Sequence, residues 1–242
     1  MKICLAQMQS HPGDIAANAD RHLQLIRLAA EQRADMIIFP ELSLTSYEPT
    51  LANKLATTPE DKCFAAFREM SVAQNIIIGI GAPLQQAEGI TIGLLLFHPD
   101  EKMIVYEKQY LHADEYPFFI PGKSNDGLIG DDTRIALAIC YELSVPAHAK
   151  AALQNGAQVY LASVAKTAEG VTKAADRLAG LAREHAITTL LVNCVGPCDG
   201  VTCAGQSAVW NNRGELLSQL EENREGLLLL DTETNEVETI DC

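Results

Sequence analysis

Short apolar runs alternate with amphipathic helical stretches along the whole of this 242-residue chain, with no linker or low-complexity segment between them. That alternation restricts the fold to the α/β class, since each strand-like run needs covering by helices or a second sheet. Residues 2–8, 35–39, 75–81, 92–98 and 102–106 read as strands in the first half. Residues 134–139, 158–162, 188–194, 207–210 and 227–230 do so in the second. Between them lie helical periods. Ala19, Leu23, Ile26 and Ala30 share the buried face of a helix after the His11-Pro12-Gly13-Asp14 turn. Phe64, Phe67 and Met70 line the inner side of a helix over 60–74, and Pro146 suits the first turn of another over 146–154. A further helix covers 172–186. The strand–helix–strand unit leading to Glu41 is echoed by the one beginning at Arg134. This predicts one domain over 1–242, with two similar halves whose sheets pack face to face and whose helices lie outside.

Composition narrows the partners. Nearly half the residues are apolar, enough for a sizeable core. A formal net charge of −14 opposes binding to nucleic acid or an anionic membrane and favours a small or neutral ligand. No apolar run is long enough to cross a bilayer, and the N-terminal residues do not read as a signal peptide. Seven cysteines form no dense framework, so reduced thiols in a cytoplasmic protein are expected.

Three side chains stand directly after strand-like runs: Glu41 after Phe39-Pro40, Lys108 after Tyr106-Glu107, and Cys140 after Ile139. A cysteine at a strand end is ordinarily a small core residue. Cys140 is set apart by the residues downstream of it. Tyr141-Glu142-Leu143-Ser144-Val145-Pro146 runs from strand to helix, where backbone N–H groups favour a thiolate and can hold an oxyanion. Glu41 would then serve as general base, and Lys108 as the fixed positive charge for a tetrahedral intermediate. A nucleophile, a base and an ammonium together suit acyl transfer through a thioester. Residues 111–127, with two prolines and little periodicity, read as a long functional loop. Tyr47, Tyr116 and Tyr141 are candidate pocket walls.

These segments resemble the carbon–nitrogen hydrolase (nitrilase-like) superfamily nearly end to end. Gly13-Asp14 with Asn18 is similar to its opening, and Phe39-Pro40-Glu41-Leu42 with Tyr47 to its glutamate motif. Tyr106-Glu107-Lys108 with Leu111, then Glu115 and Phe119 through Pro121-Gly122, resembles the lysine motif and its second glutamate. Ile139-Cys140-Tyr141-Glu142 with Pro146 and Gly156-Ala157 resembles the nucleophile motif. Ala182-Arg183-Glu184, Asn193, Gly205 and Ser207 match later landmarks. The resemblance implies an αββα sandwich with two mixed sheets, a Glu41–Lys108–Cys140 triad and a supporting Glu115. It also implies no metal or organic cofactor, and a homodimer; Glu142 is added as a candidate substrate contact. Ser46 stands where glycine is usual, Glu142 where many amidases carry aspartate, Tyr141 where nitrilases carry tryptophan, and His185 where asparagine is frequent. These departures favour a hydrolase of small amides, such as an ω-amide of a dicarboxylic acid or a carbamoyl amine. Nitrile hydrolysis by the same thiol, or a catalytically idle binding or thiol-sensing protein, are the alternatives.

Other signals carry less. Gly122-Lys123-Ser124 lacks the upstream glycine of a phosphate-binding loop. Gly79-Ile80-Gly81 lacks the third glycine of a dinucleotide fingerprint. Cys194, Cys198 and Cys203 cluster, but their spacing fits no strong zinc pattern, so unlinked thiols are expected.

Overall fold

Side-chain parity along the first strand sets the layering. In the computed structural model, which describes residues 1–123, 128–130 and 133–242, β1 (Lys2–Gln7) sends Ile3 and Leu5 to one side and Cys4 and Ala6 to the other. Ile3 and Leu5 join a buried cluster with Leu137, Leu161 and Leu190 of the second half. Cys4 and Ala6 join another with Leu25, Ile26 and Phe67 of the helices. One strand thus contributes to two cores through its period of two.

The first half continues through α1 (Ile15–Glu31), β2 (Met36–Ile38), α2 (Ala52–Leu55), α3 (Ala65–Gln74), β3 (Ile77–Gln85), β4 (Ile90–Phe97) and β5 (Met103–Glu107). The second runs through β6 (Ile135–Ile139), α4 (Pro146–Gln154), β7 (Val159–Val164), α5 (Ala168–His185) and β8 (Thr188–Asn193). It ends with β9 (Val195–Cys198), β10 (Val201–Ala204), β11 (Ala208–Trp210), β12 (Leu216–Gln219), β13 (Gly226–Asp231) and β14 (Val237–Asp241). The large sheet has the order β14-β13-β1-β2-β3-β4-β5 and the second β12-β11-β8-β7-β6. In each, three parallel strands (β1-β2-β3, β6-β7-β8) are extended by an antiparallel pair (β4-β5, β11-β12). The two halves are therefore repeats of one plan. The chain returns through β13, with Leu230 opposite Ile3, so its last segment completes the first sheet. On the far side of the second sheet, Ala136, Ala138 and Tyr160 pack against Ala152 of α4 and Ala174, Leu178 and Ala182 of α5. Three apolar layers separating four structural layers give the expected αββα sandwich.

The structure departs from the sequence pattern where polar contacts or short partners intervene. The buried stripe of α1 is Asn18, His22, Leu25, Ile26 and Ala29, rotated from the purely apolar register. Two polar residues enter it because their hydrogen bonds are met inside. Asn18 donates to the carbonyls of His11 and Leu44, and His22 pairs with the Asn18 carbonyl and the Ser43 hydroxyl. β3 runs through Pro83 instead of stopping at Gly81. The Pro83 carbonyl faces Thr57, on the side away from β4, and β2 ends opposite Gly79. The donor that proline lacks therefore falls where no ladder strand needs it. β12 and β14, which pattern alone does not reveal, are edge strands whose exposed polar residues mask the alternation. Among the described residues no helix is long and apolar enough to cross a membrane.

Candidate active site

Three strand ends deliver the site. β2, β5 and β6 stop at Ile38, Glu107 and Ile139, and the following turns present Glu41, Lys108 and Cys140. The Lys108 ammonium is fully buried, 2.7 Å from Glu41 Oε1 and 2.6 Å from Glu115 Oε1. The two carboxylates are not equivalent. Glu115 Oε1 also accepts from the Tyr47 hydroxyl at 3.0 Å, and its Oε2 accepts from the His112 N–H at 2.7 Å. Glu41 keeps Oε2 buried and without a hydrogen-bond partner. Glu115 is thus saturated, whereas Glu41 has one oxygen able to receive a proton.

Electrostatics follow from packing two carboxylates on one ammonium. Burial would drive Lys108 down, but Glu41, Cys140 and Glu115 reverse this and hold it above the ordinary lysine range. Glu41 is pushed up to about 7, first by burial and then by Glu115, against the pull of Lys108. Burial, and then the Glu41 charge, push the Cys140 thiol up to about 11. Cys140 therefore rests as a thiol at neutral pH. Burial and neighbouring carboxylates keep Tyr47 a neutral phenol.

The Cys140 segment is strained and braced. Cys140 has φ +45°, a left-handed conformation that non-glycine residues adopt rarely and mostly at functional positions. It opens a short 3₁₀ turn over Cys140–Ser144, whose first N–H groups have no partner within the turn. Glu142 ties this turn to the lysine segment. Its Oε1 accepts from the backbone of Gln109 at 2.6 Å and of Tyr110 at 3.4 Å, and its Oε2 from the Tyr106 hydroxyl at 2.6 Å and the Ile139 N–H at 2.8 Å. Tyr106 spends its only proton on Glu142, so at 2.8 Å His148 Nε2 must donate to it, and His148 Nδ1 accepts from Tyr160. Burial holds His148 down at about 4, consistent with that neutral tautomer.

The other expected residues divide. Tyr47 reaches the charged group through Glu115. Tyr141 is exposed at the rim and meets His112 edge-on at 5.2 Å. Tyr116 is 59% exposed, whereas its neighbour Glu115 is buried. Glu142, expected at the substrate, is fully buried with both oxygens occupied, and those contacts support a positioning role. Ser46 has φ +64°, which accounts for glycine being usual there.

Sequence reasoning missed several contributors. Lys166, just after β7, lies within electrostatic reach of both Glu41 and Cys140. Asn193 fixes its backbone, accepting from the Lys166 N–H at 2.9 Å and donating to its carbonyl at 3.0 Å. The Ser163 hydroxyl crosses between the sheets to the Phe39 carbonyl at 2.9 Å, bracing the turn to Glu41. The two rejected glycine motifs are sites of close approach. A Cβ on Gly81 would stand 2.5 Å from the Pro40 carbonyl and the Leu42 N, and one on Gly122 would stand 2.2 Å from Glu107 Cβ. Ser124 and the rest of the expected loop up to residue 127 lie outside the described residues. Gly81→Ala should therefore displace the Glu41 turn, costing about 1–3 kcal/mol by overpacking and lowering kcat in the same variant. A melting curve and an activity assay on one preparation check this.

With this geometry in place, comparison with known proteins decides the family. The model for the carbon–nitrogen hydrolase family matches residues 2–240. The chain belongs to the carbon–nitrogen hydrolase family. An (R)-stereoselective amidase from a Pseudomonas species is 27% identical over 90% of this chain and 80% of its own length. Omega-amidase YafV of Yersinia enterocolitica is 27% identical over 91% and 85%. A glutamine-dependent NAD(+) synthetase of Acinetobacter baylyi is 28% identical over 93% of this chain, which spans only 43% of that protein. Among solved structures, a cysteine-to-alanine variant of the amidase from Nesterenkonia sp. AN1 in complex with butyramide aligns with TM-score 0.88 and 25% identity, covering 97% of this chain and 92% of that one. A glutamate variant of that amidase carries the acetamide moiety of fluoroacetamide on its active-site cysteine, with TM-score 0.87 and 25% identity over 96% and 90%. These relatives put the chain in the family's amidase-like branch.

Proposed function

We propose that this carbon–nitrogen hydrolase cleaves a small aliphatic amide through a thioester on Cys140. The observation that carries the reading is the inequality of the carboxylates: Glu41 Oε2 is free to take a proton, while Glu115 is saturated by Lys108, Tyr47 and His112. Glu41 takes the Cys140 proton as sulfur bonds to the amide carbon. The resulting oxyanion sits by Lys108 and the Tyr141 N–H, and loss of one such donor typically costs roughly 3–4 kcal/mol. The C–N bond breaks, and Glu41 returns its proton to the departing ammonia or amine. Glu41 then deprotonates water, which attacks the thioester. The acid leaves and the proton returns to the thiol. The test is an amide panel with ammonia quantified and released acids identified. Ammonia from no amide would remove the reading, and a nitrile consumed through a thioimidate would favour the nitrile alternative.

The base assignment has a pH signature. Glu41 is active when ionised, so kcat/KM should rise with pH through about 7, where it loses its proton. Glu41→Gln should abolish that limb and slow both thioester formation and breakdown by at least ~100-fold each. Pre-steady-state rates across pH 5–9 measure this, and an unchanged profile places the base elsewhere.

Lys166 favours an ω-amide. In a chain of net charge −14 it places a cation near the nucleophile, where it can receive a carboxylate at the far end of the substrate. Charge-assisted hydrogen bonds contribute ~1.5–3 kcal/mol. Lys166→Met should therefore raise KM for an acid-bearing amide by roughly 10–100-fold, leaving a neutral amide of equal length unaffected. Equal KM changes for both substrates would reject the carboxylate anchor.

A further inference from the structure

The fold brings three thiols, clustered along the chain without a zinc spacing, into one group that does not include Cys140. Cys194, Cys198 and Cys203 are all buried, and their sulfurs lie within 4.8 Å of one another. The β9–β10 hairpin makes this meeting. Asp199 and Gly200 both have positive φ, as tight hairpin turns of the primed type require, and the resulting register sets Cys203 opposite Gly196, which lies between Cys194 and Cys198. Loop spacing that suited no zinc pattern thus becomes a compact triangle of sulfur. None of the chain's seven cysteines is bridged.

We propose that Cys194, Cys198 and Cys203 bind one thiophilic divalent cation of the Zn2+ class through three thiolates, with water in the fourth tetrahedral position. Zn–S bonds of about 2.3 Å set tetrahedral sulfurs about 3.8 Å apart, so a triangle whose sides lie within 4.8 Å closes by at most about 1 Å, which small side-chain rotations supply. Thiolates exclude hard cations such as Mg2+ and Ca2+. A divalent ion leaves a net charge of −1 on the buried group, whereas a monovalent ion leaves −2. Metal entry displaces the thiol protons to solvent as each S–H is replaced by S–Zn. No fourth His, Cys, Asp or Glu joins the group among the described residues, which leaves the last position to a non-protein ligand.

The location gives such a site a consequence. Tyr47 packs on the three cysteines while its hydroxyl donates to Glu115, so one side chain spans the thiol cluster and the charged group of the candidate active site. Metal binding at the cluster does not depend on which amide the enzyme cleaves.

Co2+ titration of the reduced, metal-free full-length protein tests it. One equivalent should produce the visible d–d bands of tetrahedral cobalt together with thiolate charge transfer, and Zn2+ should remove both. Cys198→Ser should weaken binding by more than the ~10–100-fold typical of losing an outer-shell contact, whereas Cys140→Ala should leave the spectrum in place. Wild-type protein that gives no tetrahedral bands, or bands that survive Cys198→Ser and vanish in Cys140→Ala, would overturn the proposal. The wild-type titration decides even if the serine variant does not fold.

Discussion

Cys140→Ala is expected to abolish amide turnover, by on the order of 10⁵–10⁶-fold, while leaving the melting temperature nearly unchanged. The two halves of that expectation have separate causes. Activity falls because the lost thiol is the nucleophilic atom in electrostatic contact with both Glu41 and Lys108. Stability is preserved because the change removes a single sulfur atom. Alanine keeps the Cβ that packs beside β6, so the cost of φ +45° at this position is the same in both proteins. A variant that hydrolyses amides at the wild-type rate would end the thioester mechanism. A variant that loses activity only because it unfolds would be exposed by circular dichroism and melting curves.

Lys108→Met is expected to damage both fold and function. Its ammonium neutralises Glu41 and Glu115 at 2.7 and 2.6 Å in a site closed to water. Breaking a buried pair by removing one partner typically costs 3–5 kcal/mol, roughly, because the remaining charge is left uncompensated. The variant should respond by binding a proton. Glu41, already raised by burial, would then titrate higher still, so its ionisation destabilises the folded state further. The sign is definite: the variant's stability is greatest below the unfolded carboxylate range and falls as pH rises through the raised folded value. Denaturation midpoints should therefore fall increasingly below wild type as pH rises above about 7, where wild-type Glu41 has already ionised. Activity should fall by at least ~10³-fold, since Glu41 stays protonated and the oxyanion loses a donor. Midpoints that track wild type at every pH would mean that Lys108 is not the counter-charge to the two glutamates.

Much of this was legible in the sequence because the decisive residues follow strands. A residue just past an apolar run is placed by the sheet, and three such residues on strands that share or face one core converge. Glu41, Lys108 and Cys140 could be read that way, as could the αββα layering from the repeated strand–helix–strand plan. Side-chain saturation could not be read. The difference between Glu41 and Glu115 depends on Tyr47 and on the His112 N–H, contacts made by loops. Glu142 reads as a neighbour of the nucleophile, yet its hydrogen bonds reach back 33 residues to Gln109. Lys166 and Ser163 escaped because nothing local marks a side chain whose partner lies on the other sheet. The thiol cluster is visible along the chain, but the meeting of its three sulfurs is not, because a hairpin register, not a spacing, makes it. Gly81 and Gly122 stand out for motifs they do not form, when the need is room for the backbone beside Glu41 and Glu107.

The central claim is that Cys140 alone among the seven cysteines carries the acyl group. Rapid acid quench of the Glu41→Gln enzyme with an amide substrate, followed by peptide mass mapping, measures this most directly. The expected result is a mass gain equal to the acyl group on the peptide containing Cys140, with one equivalent of ammonia released per adduct. An unmodified Cys140 during turnover, or the acyl group found on Cys194, Cys198 or Cys203, would contradict it.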